Sequence, residues 1–168
     1  MNSSGVKFRF SAFADEIDPS FDMQLDSLRE LGIPLLELRG VDGASFVSLS
    51  DPEIRTVKHK LKTAGIGLSA LGSPVGKIRT DEDFAAHMAL FRRVMDIGET
   101  LECRRIRMFS FYPPKGSDRS DPSFEETVFE RIETLLDAAE NRGFELCHEN
   151  EKDIYGDSID SEKRLLDR

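Results

Sequence analysis

The chain has 168 residues, 39% of them hydrophobic and 33% charged, with a net charge of -9. That is an ordinary globular composition, large enough for a real core and unsuited to a disordered or fibrous chain. The acidic balance repels phosphate backbones and argues against a nucleic-acid partner, and no apolar run approaches the length that crosses a bilayer. The first residues, Met-Asn-Ser-Ser-Gly, show no basic-then-apolar secretory signal, and Cys103 and Cys147 form neither a CxxC pair nor a disulfide framework. A reducing, cytoplasmic location is expected on those grounds.

In chain order, one unit recurs. A strand over 8–14 opens the series. Asp18-Pro19 then supplies an N-cap and a first-turn proline, followed by Phe21, Leu25, Leu28 and Leu31 at helical spacing. Gly32 stands where a left-handed helix end is wanted, and a strand is predicted over 33–39. Asp51-Pro52 begins the next helix, with Ile54, Val57, Leu61 and Ala64 on one face, then Gly65 and a strand over 66–71. A third helix near Thr80 carries Phe84, Met88, Phe91 and Met95, and precedes a strand over 105–111. Asp121-Pro122 opens a helix with Phe124, Val128, Ile132, Leu135 and Ala139; Gly143 and a strand over 144–149 follow, then a short helix near 158–166.

Five alternating strand–helix units predict a single α/β domain with a parallel sheet. Two architectures have that grammar. A five-stranded, doubly wound flavodoxin-like sheet suits the length, whereas a (β/α)8 barrel takes eight strands and typically about 250 residues. The strands argue for the barrel. Glu37, Arg107 and Glu145 interrupt apolar strands with period two, as expected for a polar interior in which they form a buried charge network, whereas strands covered on both faces read as nearly continuous apolar runs.

Five stretches in order carry a resemblance: SAFADEI, LGIPLLELRG, LSALGSPVGKI, IRMFSFY and LCHENEKDIYGD. They resemble the xylose isomerase-like TIM barrels, the sugar phosphate isomerase/epimerase group, over nearly the whole chain. The resemblance implies a (β/α)8 barrel represented by about its first five units, and a sequence that ends before the last three. It implies one divalent metal (manganese, magnesium, cobalt or zinc) and proton transfer beside the carbonyl of a sugar or polyol. Glu149, followed by Asn150, matches the family's first metal ligand, a Glu that also moves protons. The other ligands of the family would fall after Arg168, so the chain alone is expected to bind metal poorly and to turn over weakly if at all.

Further mouth residues follow from strand phase in such a barrel. Asp15 and Glu16 end the first strand, Arg39 the second, and Ser73 and Lys77 lie in the loop after the third. Ser110 and Tyr112 end the fourth, and His148 adjoins Glu149. Glu16, Arg39, Lys77, Ser110, Tyr112 and His148 are the expected substrate-binding set. Arg39 and Lys77 suit a carboxylate or phosphate, and Tyr112 suits packing on a sugar. Cys147 is expected to fill space below Glu149, His59 to be solvated and His87 to serve helix packing. The alternative to an enzyme is a non-catalytic binding or oligomerising module, since open sheet edges invite pairing and a homo-oligomer is its simplest form.

Overall fold

The computed structural model describes residues 8–117 and 121–167. The chain divides into two compact units, residues 1–70 and 71–168.

In the first unit, β1 (Ser11–Ala12) pairs in parallel with β2 (Leu35–Leu38), and β5 (Gly67–Gly72) lies on the far side of β2. A flavodoxin-like sheet would place its first strand in the middle, between the second and third. Here the second of the three parallel strands is central, so the sheet grows in sequence order, as a barrel wall does. Helix α1 (Phe21–Glu30) and helix α2 (Asp51–Ala64) connect these strands. Phe21, Leu25 and Leu28 from α1, Leu36 and Leu38 from β2, and Ile54 and Val57 from α2 form the unit's buried core. Each such side chain contributes about 1.5–3 kcal/mol on full burial.

Both helix starts of this unit differ from the sequence expectation. Asp18 is not the N-cap of α1: its carboxylate accepts from the Ser20 N–H at 2.8 Å, forming a turn ahead of the helix, and Ser20 takes the cap position. Ser50 rather than Asp51 caps α2, because Glu53 reaches back to the Ser50 N–H at 2.7 Å. A short hairpin, β3 (Gly40–Val41) with β4 (Ala44–Ser45), was not anticipated. Asp42 and Gly43 both take positive φ in its turn, the chemistry that a two-residue hairpin requires.

In the second unit, β5, β6 (Arg105–Met108) and β7 (Glu145–His148) again lie in sequence order, all parallel. Helix α3 (Phe84–Leu101) starts later than Thr80 suggested, because the Asp83 carboxylate caps it by accepting from the Ala85 and Ala86 N–H groups. Helix α4 (Pro122–Glu140) has the expected cap, Asp121, and α5 (Ile159–Leu166) is short. Phe91, Val94, Met95, Ile106, Phe109, Phe111, Val128 and Leu135 are buried. No helix of the described residues is long and apolar enough to cross a membrane.

Candidate functional site

The site grows from the β6–β7 pairing. Arg107 lies opposite Cys147 in the register, and the ladder continues past the strand end through the Glu149 N–H, which donates to the Met108 carbonyl at 2.9 Å. Alternate residues of a strand share a face, so Glu149 follows Cys147 on the side to which Arg107 points. The Arg107 guanidinium donates to a Glu149 carboxylate oxygen at 2.6 Å. The two ends differ in exposure: the Arg107 side chain is 11% exposed and that of Glu149 is 40%. A cation so enclosed requires its carboxylate partner.

Phe109 organises the cations. The Arg107 guanidinium sits 4.7 Å from its ring centroid and the Lys77 ammonium 4.5 Å from it, a cation–π arrangement. Lys77 then pairs with Glu151 at 2.6 Å, and the Tyr112 hydroxyl donates to the other Glu151 oxygen at 3.1 Å. Burial pushes the Glu151 carboxyl up, but its bonds from Lys77 and Tyr112 outweigh that and hold it below the usual carboxylate range. The Tyr112 phenol is raised by burial and by Glu151. Two carboxylates of the polar segment after β7 are thus each locked to a cation.

The loop carrying Lys77 is stitched to the chain after β6. Phe109, Phe111 and Tyr112 donate their N–H groups to the carbonyls of Val75, Gly76 and Ile78 at 2.8, 3.0 and 2.9 Å. The Ser73 hydroxyl donates to the Arg107 carbonyl at 2.6 Å. His87, on α3, accepts the Gly76 N–H at its Nε2 at 2.7 Å. Burial first and Arg131 second push the His87 pKa down to about 4, against a smaller upward effect of Glu82. His87 is therefore neutral at physiological pH, with its proton on Nδ1, and fixes the loop rather than packing the helix alone.

The remaining candidates lie elsewhere. Ser110 is fully buried, and its hydroxyl accepts the Gly156 N–H at 2.7 Å. His148 turns toward α5, with Nδ1 2.8 Å from a Glu162 oxygen, and burial lowers its pKa. Arg39 and Glu16 meet in the first unit: Arg39 donates to Asp15 at 2.8 Å and to Glu16 at 3.0 Å, and packs on the Phe13 ring. Two expectations are corrected. Cys147 is exposed rather than filling enclosed space. Glu145 pairs with Arg105 at 2.8 Å with both side chains more than half exposed, so it joins no buried charge network. His59 is exposed on α2.

Glu151, the hub of the second ion pair, was not among the expected site residues. The available signal was its spacing, two residues beyond Glu149. Beside it, Lys77, Arg79, Tyr112, Pro114, Lys115 and Asp153 line a cleft of about 510 Å³, within the size range of small-molecule sites. Among the described residues no three His, Cys, Asp or Glu side chains converge as a metal site. Glu149 is one donor, already bonded to Arg107, so the described residues do not by themselves fit a divalent metal.

Residues 25–168 match the xylose isomerase-like TIM barrel family. No curated protein resembles the sequence closely enough to count as a relative. Several solved structures share the fold. A xylose isomerase-like TIM barrel protein from Mycobacterium smegmatis, in complex with magnesium, is 20% identical with a TM-score of 0.69, over 93% of this chain and 53% of that one. The probable 3-DHS dehydratase AsbF from Bacillus anthracis is 14% identical with a TM-score of 0.76, over 95% and 58%. D-psicose 3-epimerase from Clostridium cellulolyticum H10, with D-tagatose, is 16% identical with a TM-score of 0.67, over 94% and 60%. The chain therefore spans a little over half the length of these structures, and likeness at such identities is a likeness of fold.

Proposed function

This chain belongs to the xylose isomerase-like TIM barrel family, and we propose that it carries the β7-end part of a sugar or polyol site of isomerase/epimerase type. The observation that carries the reading is Glu149, a carboxylate at a strand's C-terminal end held by Arg107, whose guanidinium shares the Phe109 ring with the cleft residue Lys77. In this reading Glu149 takes and returns the proton next to the sugar carbonyl. Arg107 orients that carboxylate, and Lys77, Tyr112 and Glu151 offer donors and acceptors to substrate hydroxyls. A divalent metal, the family's expected cofactor, would supply Lewis-acid chemistry, and Glu149 is the single ligand these residues would offer it. Ser110, which holds the Gly156 N–H, and His148, which pairs with Glu162, brace the chain after β7. The setting is cytoplasmic.

The test is a titration of the isotopically labelled chain with D-tagatose and D-fructose, read by amide shifts. Shifts at Lys77, Tyr112 and Glu149–Glu151, reduced in Glu149→Gln, are expected. Ketoses that leave all of these amides unmoved would rule the reading out.

A second reading, a homo-oligomeric module, is favoured by the sheet edges. Phe8 and Phe10, just before β1, are 85% and 74% exposed, and β7 pairs with β6 alone among the described strands. Large exposed aromatics beside a strand edge suit association. Native mass spectrometry is expected to show a dimer. A monomer at micromolar concentration would remove this reading and leave the first intact.

A further inference from the structure

We propose that Glu151 is a charge gate: by neutralising Lys77 at the cleft, it makes the site select an uncharged polyol over one bearing a terminal phosphate or carboxylate. The inference deepens the sugar-site reading and rests on it for the ligand's polyol part.

The cations around the cleft identify what it can hold. Lys77 is bound to Glu151 at 2.6 Å, and Arg79 is bound to Asp81 at 2.9 Å. Sharing the Phe109 ring with Lys77, Arg107 is bound to Glu149 at 2.6 Å. The Glu82 carboxylate accepts the Arg79 N–H, and Asp153 adds a further negative charge to the lining. Lys115 is the one lysine of the lining away from these pairs, and it stands exposed on a wall shared with Asp153. An oxyanion approaching Lys77 also meets Glu151, 2.6 Å from that ammonium, and a like charge so placed opposes it. A neutral polyol meets no such opposition. Its hydroxyls can donate to Glu151 and accept from Lys77 and Tyr112 without breaking the pairs, because a carboxylate accepts several hydrogen bonds and an ammonium donates three.

The consequence is a reversal of selectivity on removing one charge. In Glu151→Gln, inorganic phosphate should bind on the order of tenfold more tightly than in the native chain, with amide shifts at Lys77 and Tyr112. The double variant Glu151→Gln/Lys77→Met should lose that gain. Native chain that binds phosphate as tightly as Glu151→Gln, with shifts at these residues, would overturn the proposal, as would a gain that persists without Lys77. A second variant covers poor folding of Glu151→Gln. Lys77→Met alone leaves the Glu151 charge unopposed, so phosphate should bind it no more tightly than it binds the native chain; a gain in phosphate affinity would also overturn the gate. The two readings fail separately. Ketose shifts test the sugar site, and phosphate affinity tests the gate.

Discussion

Gly76→Ala is expected to unfold the second unit or to leave it barely stable. Gly76 has φ +83°, and an added Cβ would lie 1.9 Å from the Phe109 carbonyl oxygen and 2.5 Å from its carbon. Neither partner can yield without loss. Phe109 donates to the Val75 carbonyl and Phe111 to the Gly76 carbonyl, so moving either strand of the contact breaks both bonds. The φ strain alone costs about 1–3 kcal/mol. With the clash the total exceeds about 4 kcal/mol, comparable with the whole stability of many domains, about 5–15 kcal/mol. Gly116→Ala is the matched comparison: φ is +79° there, and nothing lies within 4 Å of the added atom, so a loss of about 1 kcal/mol is expected. Urea midpoints of the two variants decide the matter. Equal midpoints would show that the Gly76–Phe109 approach relaxes freely, and the rigid-loop account of Lys77 would fall with it.

The alternation of strands and helices was legible because its signals are local. Asp121 capped its helix as expected, and Gly65 ends α2 in the left-handed conformation. Strand direction was legible too, since period-two charge marked Arg107 as facing a polar side. What the charges pair with was not. Arg107 takes Glu149, forty-two positions away, and leaves Glu145 to Arg105; register across β6 and β7 decides this, and no local pattern encodes register. Ser110 shows a second limit. Its position after β6 suggested a mouth residue, but Phe111 takes φ +66°, outside the strand conformation that the phase argument assumes, and Ser110 is turned to Gly156. Glu151 escaped for the opposite reason. Its phase was right, but its role depends on Lys77 and Tyr112, which arrive on two other loops.

His87 makes the same loop sensitive to acid, with a definite sign. Its folded pKa is about 4, below the ordinary histidine value of 6.5. Between those values the unfolded chain binds a proton that the folded chain refuses, so stability falls as pH drops. The loss begins near pH 6.5, grows to about 3 kcal/mol by pH 4 and then levels off. The physical event is simple: protonated Nε2 can no longer accept the Gly76 N–H, and the imidazolium would sit buried near Arg131, with Glu82 as its opposing charge and Phe111 packed against its ring. Carboxylates such as Glu151, held below their ordinary range, also withdraw stability in acid, so wild type alone does not isolate the histidine. His87→Gln keeps an acceptor for Gly76 without titrating. Urea midpoints from pH 7 to pH 4 should fall more steeply for the native chain than for His87→Gln, by the histidine's share. Parallel profiles would show that His87 is not held neutral by the fold, and that the loop bearing Lys77 is anchored by its backbone bonds to Phe109, Phe111 and Tyr112 instead.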